Sequence, residues 1–159
     1  MPDPRVVAPA IRYRYSRSIR LSPSFWPKIG DTAEGGIYHH AMILVVDDDK
    51  VLTQLLRSLL EAEGYEVRVA HDGESAYKEL KDPKCKAMLL DIRMPGINGA
   101  ELLMLMAAEQ IEVPVIVMAG FPDFDEAEMK QFPNVKRLFH KPLYPEDVLA
   151  AVKEHAAKQ

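Results

Sequence analysis

From Met42 onward, short and almost wholly apolar runs alternate with segments of helical period. This alternation constrains the fold more than any other feature of the chain. Ile43–Val46 has no polar interruption, as expected of a strand covered on both faces. Leu52, Leu55, Leu56, Leu59 and Leu60 then recur at helical spacing and stop at Gly64. Val67 and Val69 flank Arg68 in a second strand, which predicts a place nearer a sheet edge. A helix after Asp72–Gly73 carries Ala76, Tyr77 and Leu80. Ala87–Leu90 is a third apolar run and ends at Asp91. After Met94–Pro95–Gly96 a helix carries Leu102, Leu103, Leu105 and Met106. Val115–Met118 is the fourth run, and a short polar helix is predicted over 123–131. Leu138–Phe139 marks a fifth strand. Pro145, suited to a first helical turn, opens a last helix to about Ala157.

Five strand–helix repeats imply a parallel sheet with helices on both faces. Residues 42–159 therefore predict an α/β, flavodoxin-like doubly wound (βα)5 domain with strand order 2-1-3-4-5. Residues 1–41 differ. Pro2, Pro4, Pro9, Pro23 and Pro27 break any period, and the segment is expected to be a disordered extension. A mis-assigned start or an added leader is the other reading of it. The segment carries six basic and three acidic residues, against 14 and 21 in 42–159, so charges of +3 and −7. An acidic domain does not suit nucleic-acid binding. The alternating Arg12–Tyr13–Arg14–Tyr15 could touch RNA or a membrane surface, but reads more simply as solvated tail. No apolar run approaches the roughly 18 residues of a membrane span. Arginines and prolines interrupt every N-terminal apolar stretch, against a signal peptide. The single cysteine, Cys85, excludes an internal disulfide, fits a cytoplasmic location, and reads as a structural residue before a strand.

In open parallel sheets the site lies at the carboxyl ends of the strands, near the switch in strand order. Strand one ends in Asp47–Asp48–Asp49, strand three in Asp91, strand four in Ala119–Gly120 and strand five in His140–Lys141–Pro142. Neighbouring strands one and three bring Asp47, Asp48 and Asp91 together, and Lys141 arrives from the flank. Crowded carboxylates repel, and a divalent cation relieves that repulsion. Magnesium, or manganese in its place, prefers such oxygen ligands. A carboxylate beside the ion can attack a phosphoryl group, with the metal and Lys141 neutralising the developing charge. Asp49 is placed to cap the following helix instead. His140 reads as a strand-end residue, His39–His40 as tail, and His71 and His155 as surface residues.

The stretches Ile43–Asp49, Leu90–Gly99 (Leu-Asp-Ile-Arg-Met-Pro-Gly-Ile-Asn-Gly) and His140–Leu143 resemble the CheY-like response-regulator receiver domains of two-component systems. The resemblance covers 42–159. It implies that Asp91 accepts phosphate from the phosphohistidine of a histidine kinase or phosphotransfer protein. It implies that Asp47, Asp48, Asp91 and the main-chain carbonyl of Arg93 hold magnesium, and that Lys141 contacts the phosphoryl group before a Pro142 whose peptide bond is often cis. Met94–Pro95–Gly96 and Gly99 would shape the loop beside the acceptor. It also implies docking near the first helix and homodimer formation through the face from strand four to helix five.

Two positions depart from the family pattern. Receivers usually place Thr or Ser at the end of strand four, where this chain has Ala119. They often place Tyr or Phe three residues before the lysine, where this chain has Leu138. A slip of one residue would put Gly120 or Met118 at the first position, and neither has a hydroxyl. The expected function is a stand-alone receiver in a phosphorelay, with an unusual conformational response. The alternative is a receiver-fold scaffold that does not switch on phosphorylation. A magnesium phosphatase would want an acid two residues after its nucleophile, and Arg93 stands there. Arg93 and Phe121, flanking the acceptor, are expected to hinder hydrolysis and lengthen the life of the phosphorylated form.

Overall fold

A computed structural model describes residues 41–120 and 122–156. The readings of residues 1–40 (the tail, its Arg–Tyr alternation and His39–His40) and of Phe121 lie outside the described residues. The element order is β1 Met42–Val46, α1 Lys50–Ala62, β2 Glu66–Ala70, α2 Gly73–Leu80, β3 Cys85–Asp91, α3 Gly99–Ala108, β4 Val115–Ala119, α4 Glu126–Met129, β5 Val135–His140 and α5 Pro145–Ala156. All neighbouring strands pair in parallel, in the order β2-β1-β3-β4-β5. The expected doubly wound topology is the one observed.

Strand alternation divides the core into two layers. Ile43, Val45, Leu89, Ile116 and Met118 face α1 and α5, meeting Leu56, Leu60, Val148 and Val152. Leu44, Val46, Met88, Leu90 and Val117 face α2 and α3, meeting Ala76, Leu80, Leu102 and Met106. Every residue of β1 and β4 is fully buried, so each apolar side chain there contributes roughly 1.5–3 kcal/mol of transfer free energy. The edge strand β2 is only partly buried, which is why Arg68 is tolerated in it. Arg68 bridges to Glu79 at 2.7 Å and Asp82 at 3.0 Å, tying that edge to α2 and the turn beyond.

The leucine spacing after β1 does form a helix, while the bounds of the polar helix and the setting of two histidines need correction. On α1 only Thr53, Leu56 and Leu60 are buried, while Leu55 is half exposed. Leu52 packs partly buried against the same layer, and Leu55 stands at the edge of the apolar stripe. The polar helix is a single turn, Glu126–Met129, shorter than 123–131, because Asp125 caps it reciprocally with Glu128. His71 and His155 are half-buried, not surface, residues. Cys85 opens β3 and is buried; burial pushes its thiol up to about 12, as the structural reading requires. No helix among the described residues is long and apolar enough to cross a membrane.

Candidate functional site

The strand ends assemble the expected cluster. β1 runs straight into Asp47, which is fully buried, and β3 ends on Asp91, which is nearly so. Asp48 is exposed at the mouth. Ligand oxygens of Asp47, Asp48 and Asp91 all lie within 4.8 Å of one another. Lys141 follows β5, and its main-chain N–H donates to the Ala119 carbonyl at 2.9 Å. That bond aims its side chain across the sheet end, where Nζ donates to Asp47 Oδ2 at 2.7 Å and stands 3.5 Å from Asp91 Oδ1. The Lys141–Pro142 bond is cis, as the resemblance implied.

Burial, reinforced by the negative charge of Asp47, pushes the Asp91 carboxyl up from its ordinary 3.8 to about 6; Lys141 and the main-chain N–H of Arg93 pull the other way. Burial lowers the Lys141 ammonium, but the two aspartates outweigh it and leave its pKa raised. Lys141 is therefore a fixed positive charge, while Asp91 ionises at the cost of desolvation and repulsion. Asp47 is held in place by further bonds. Its Oδ1 accepts from the Asp49 N–H at 2.9 Å, and its own N–H donates to Ala70. Asp49 turns away and caps α1 by accepting from Val51 and Leu52. The set of three hard oxygen donors beside a lysine fits a small divalent cation with part of its water retained.

Two glycines let the backbone pass this site. A Cβ on Gly99 would lie 2.4 Å from the Asp91 carbonyl oxygen, so α3 could not begin so close to the end of β3. Gly96 has φ +73, a left-handed conformation that turns the Met94–Pro95–Gly96 loop.

The ends of β4 and β5 lie beside this cluster. Ala119 ends β4, fully buried, opposite His140 in the β4–β5 register. Leu138 packs into the α2–α3 layer and Phe139 against the other, so no aromatic ring takes the place of Leu138. The Gly120 carbonyl accepts from the Asp123 N–H at 2.8 Å. The Arg93 side chain is 80% exposed and pairs with Asp123. His140 ends β5 and is exposed.

Two participants escape the sequence reading. His71 follows β2 and donates from Nδ1 to the Asp47 carbonyl at 2.9 Å; a carbonyl only accepts, so the proton sits on Nδ1. Its position at a strand end was the available signal. Asp123 had no such signal, because its importance rests on meeting Arg93, 30 residues away in sequence.

Comparison with known proteins agrees with this architecture. The response regulator receiver domain model matches residues 43–153. The transcriptional regulatory protein CpxR of Escherichia coli K12 is 47% identical over 78 residues, covering 49% of this chain and 33% of the relative. The transcriptional regulatory protein FixJ of Bradyrhizobium diazoefficiens is 31% identical over 128 residues, covering 80% and 59%. The chain thus spans between a third and three fifths of these two relatives. A CheY-like receiver domain protein from Methanospirillum hungatei superposes with a TM-score of 0.66 at 26% identity, covering 75% of this chain and 95% of that one. With five parallel strands in this order and that match across its sequence, the chain belongs to the response regulator receiver domain family.

Proposed function

We propose that residues 42–159 form a phosphoacceptor receiver in which Asp91 takes a phosphoryl group from the phosphohistidine of a kinase or phosphotransfer protein. The observation that carries this reading is the convergence of Lys141 Nζ on Asp47 and Asp91 within a cluster of three carboxylates. An Asp91 oxygen attacks phosphorus, the phosphorus–nitrogen bond breaks, and the imidazole leaves with the bonding electrons and takes up a proton. Lys141 is placed to follow the charge on the phosphoryl oxygens. Magnesium or manganese held by Asp47, Asp48, Asp91 and the Arg93 main-chain carbonyl would supply neutralisation of charge between phosphoryl group and carboxylates. Incubation with acetyl phosphate and magnesium, followed by intact mass and peptide mapping, tests the assignment. One phosphoryl group on Asp91, lost in Asp91→Asn, supports it; an unmodified chain overturns it.

We further propose that the receiver works through protein–protein contact, as a stand-alone relay or phosphate sink. Its acidic balance supports contact with proteins over nucleic acid. The curated relatives are longer, so the size of the native product in its own cell tests the stand-alone part. Homodimer formation through the β4–α5 face is tested by sizing with and without phosphodonor.

A second reading is a receiver-fold scaffold that does not switch. Ala119 favours it, since no hydroxyl stands at the end of β4 to bond a phosphoryl oxygen, and Leu138 stands where an aromatic partner is usual. Phosphate on Asp91 with no structural response would favour a sink, and no phosphate the scaffold.

A further inference from the structure

We infer that the Arg93–Asp123 ion pair is the element that reads the phosphorylation state of Asp91, a latch that a phosphoryl group opens by recruiting Arg93. The inference rests on the acceptor reading of Asp91 and supplies a response that Ala119 and Leu138 do not.

Arg93 lies two residues after Asp91, in the loop that leaves the end of β3. Its guanidinium reaches across to Asp123 in the loop between β4 and α4. The two partners differ in setting. The Arg93 side chain is 80% exposed, whereas that of Asp123 is only 16% exposed. Exposed ion pairs contribute little net free energy, so a modest competitor displaces them. A phosphoryl group on Asp91 is not modest: it brings close to two negative charges and three acceptor oxygens. Guanidinium matches such a group with paired N–H bonds. Arg93 then leaves Asp123, which keeps its charge and loses its cation.

The Asp123 loop is built to pass that loss on. Asp123 folds back on Gly120, donating from its N–H to the Gly120 carbonyl at 2.8 Å. A Cβ on Gly120 would stand 3.0 Å from Asp123 Oδ2, so the carboxylate lies against the end of β4. The next residue, Phe124, is buried in the α2–α3 layer, to which Ala119 and Leu138 also belong, and stacks on Phe132 at 6.5 Å. In sequence the single turn of α4 falls between Phe124 and Phe132, and it packs on β5, where Met129, Lys130, Lys136 and Leu138 line a groove. Movement of Asp123 therefore reaches Phe124, α4 and that groove without a hydroxyl on β4.

The full chain, 15N-labelled, is phosphorylated with acetyl phosphate and magnesium, an Asp91 oxygen attacking phosphorus as acetate leaves. Intact mass gives the phosphoryl content, and backbone amide spectra are compared at matched content. The amides of Phe124, Met129 and Phe132 should shift in the wild type. Asp123→Asn should move the same amides toward the phosphorylated positions before any phosphoryl group is added. Arg93→Gln should lose the further shift on phosphorylation, and Arg93→Lys should restore part of it. Phosphorylated wild type with those amides unmoved overturns the latch and leaves the acceptor reading intact. So does Arg93→Gln with a wild-type shift, or Asp123→Asn with the spectrum of the unmodified wild type. Absence of phosphoryl on Asp91 in the wild type overturns the acceptor reading and the latch with it.

Discussion

Replacing Asp91 by asparagine should make the metal-free protein more stable at neutral pH. Asp91 is 4% exposed, and its folded-state carboxyl is raised from 3.8 to about 6. Burial is the largest cause, and the charge of Asp47 adds to it. A raised carboxyl pKa means that, between pH about 4 and about 6, the native state binds more protons than the unfolded chain. Stability therefore falls as pH rises through that window and stays depressed above it. A rise of this size corresponds to about 3 kcal/mol at neutral pH. The amide of asparagine is itself a buried polar group with fewer partners than it could satisfy, so a net gain of about 1–3 kcal/mol is expected.

Urea unfolding of wild type and Asp91→Asn from pH about 4.5 to about 8, without divalent metal, measures the difference directly. The gap should be small at the acid end, open through the window and remain constant above it. Groups remote from Asp91 titrate alike in both proteins and cancel. Magnesium at roughly 100 times its dissociation constant should then add about 2.7 kcal/mol to the wild type and much less to the variant, closing the gap. A variant no more stable than wild type at neutral pH, or a gap of equal size at the acid end, would refute the reasoning.

Lys141→Ala leaves Asp47 fully buried without its 2.7 Å partner and should cost about 1–3 kcal/mol in urea unfolding, as well as slowing phosphorylation by acetyl phosphate. Gly99→Ala forces a Cβ to within 2.4 Å of backbone oxygen and should destabilise by about 3 kcal/mol, whereas an alanine at exposed Lys130 should change little. The buried Cys85 thiol, pushed up to about 12, should react with iodoacetamide only after urea unfolding; rapid labelling of the native protein would contradict its placement. Arg93→Ala should shorten the life of the aspartyl phosphate if the side chain moves onto it; an unchanged autodephosphorylation rate would count against that movement.

The sheet was legible because burial on both faces leaves no choice of residue: β1, β3 and β4 are read from four consecutive apolar positions each. Strand order then followed from the alternation with helices, and strand order placed Asp47, Asp48, Asp91 and Lys141 together. Those four were readable because each ends a strand, where chain direction alone decides which polar residues can meet. His71 also ends a strand and could have been found by the same rule. The bounds of α4 were not legible, since a four-residue helix has no apolar face and depends on the cap between Asp125 and Glu128. Nor was the spread of α1 leucines, where spacing shows that a helix forms but not which side of it the sheet covers. Asp123 belongs to a third class. Nothing in a polar loop distinguishes it until the fold brings Arg93 across the gap between two loops. The acidic cluster and Lys141 are therefore written at strand ends and can be read along the chain. A contact between loops, such as Arg93 with Asp123, joins residues that no strand direction relates, and it becomes visible only once the fold has closed the distance between them.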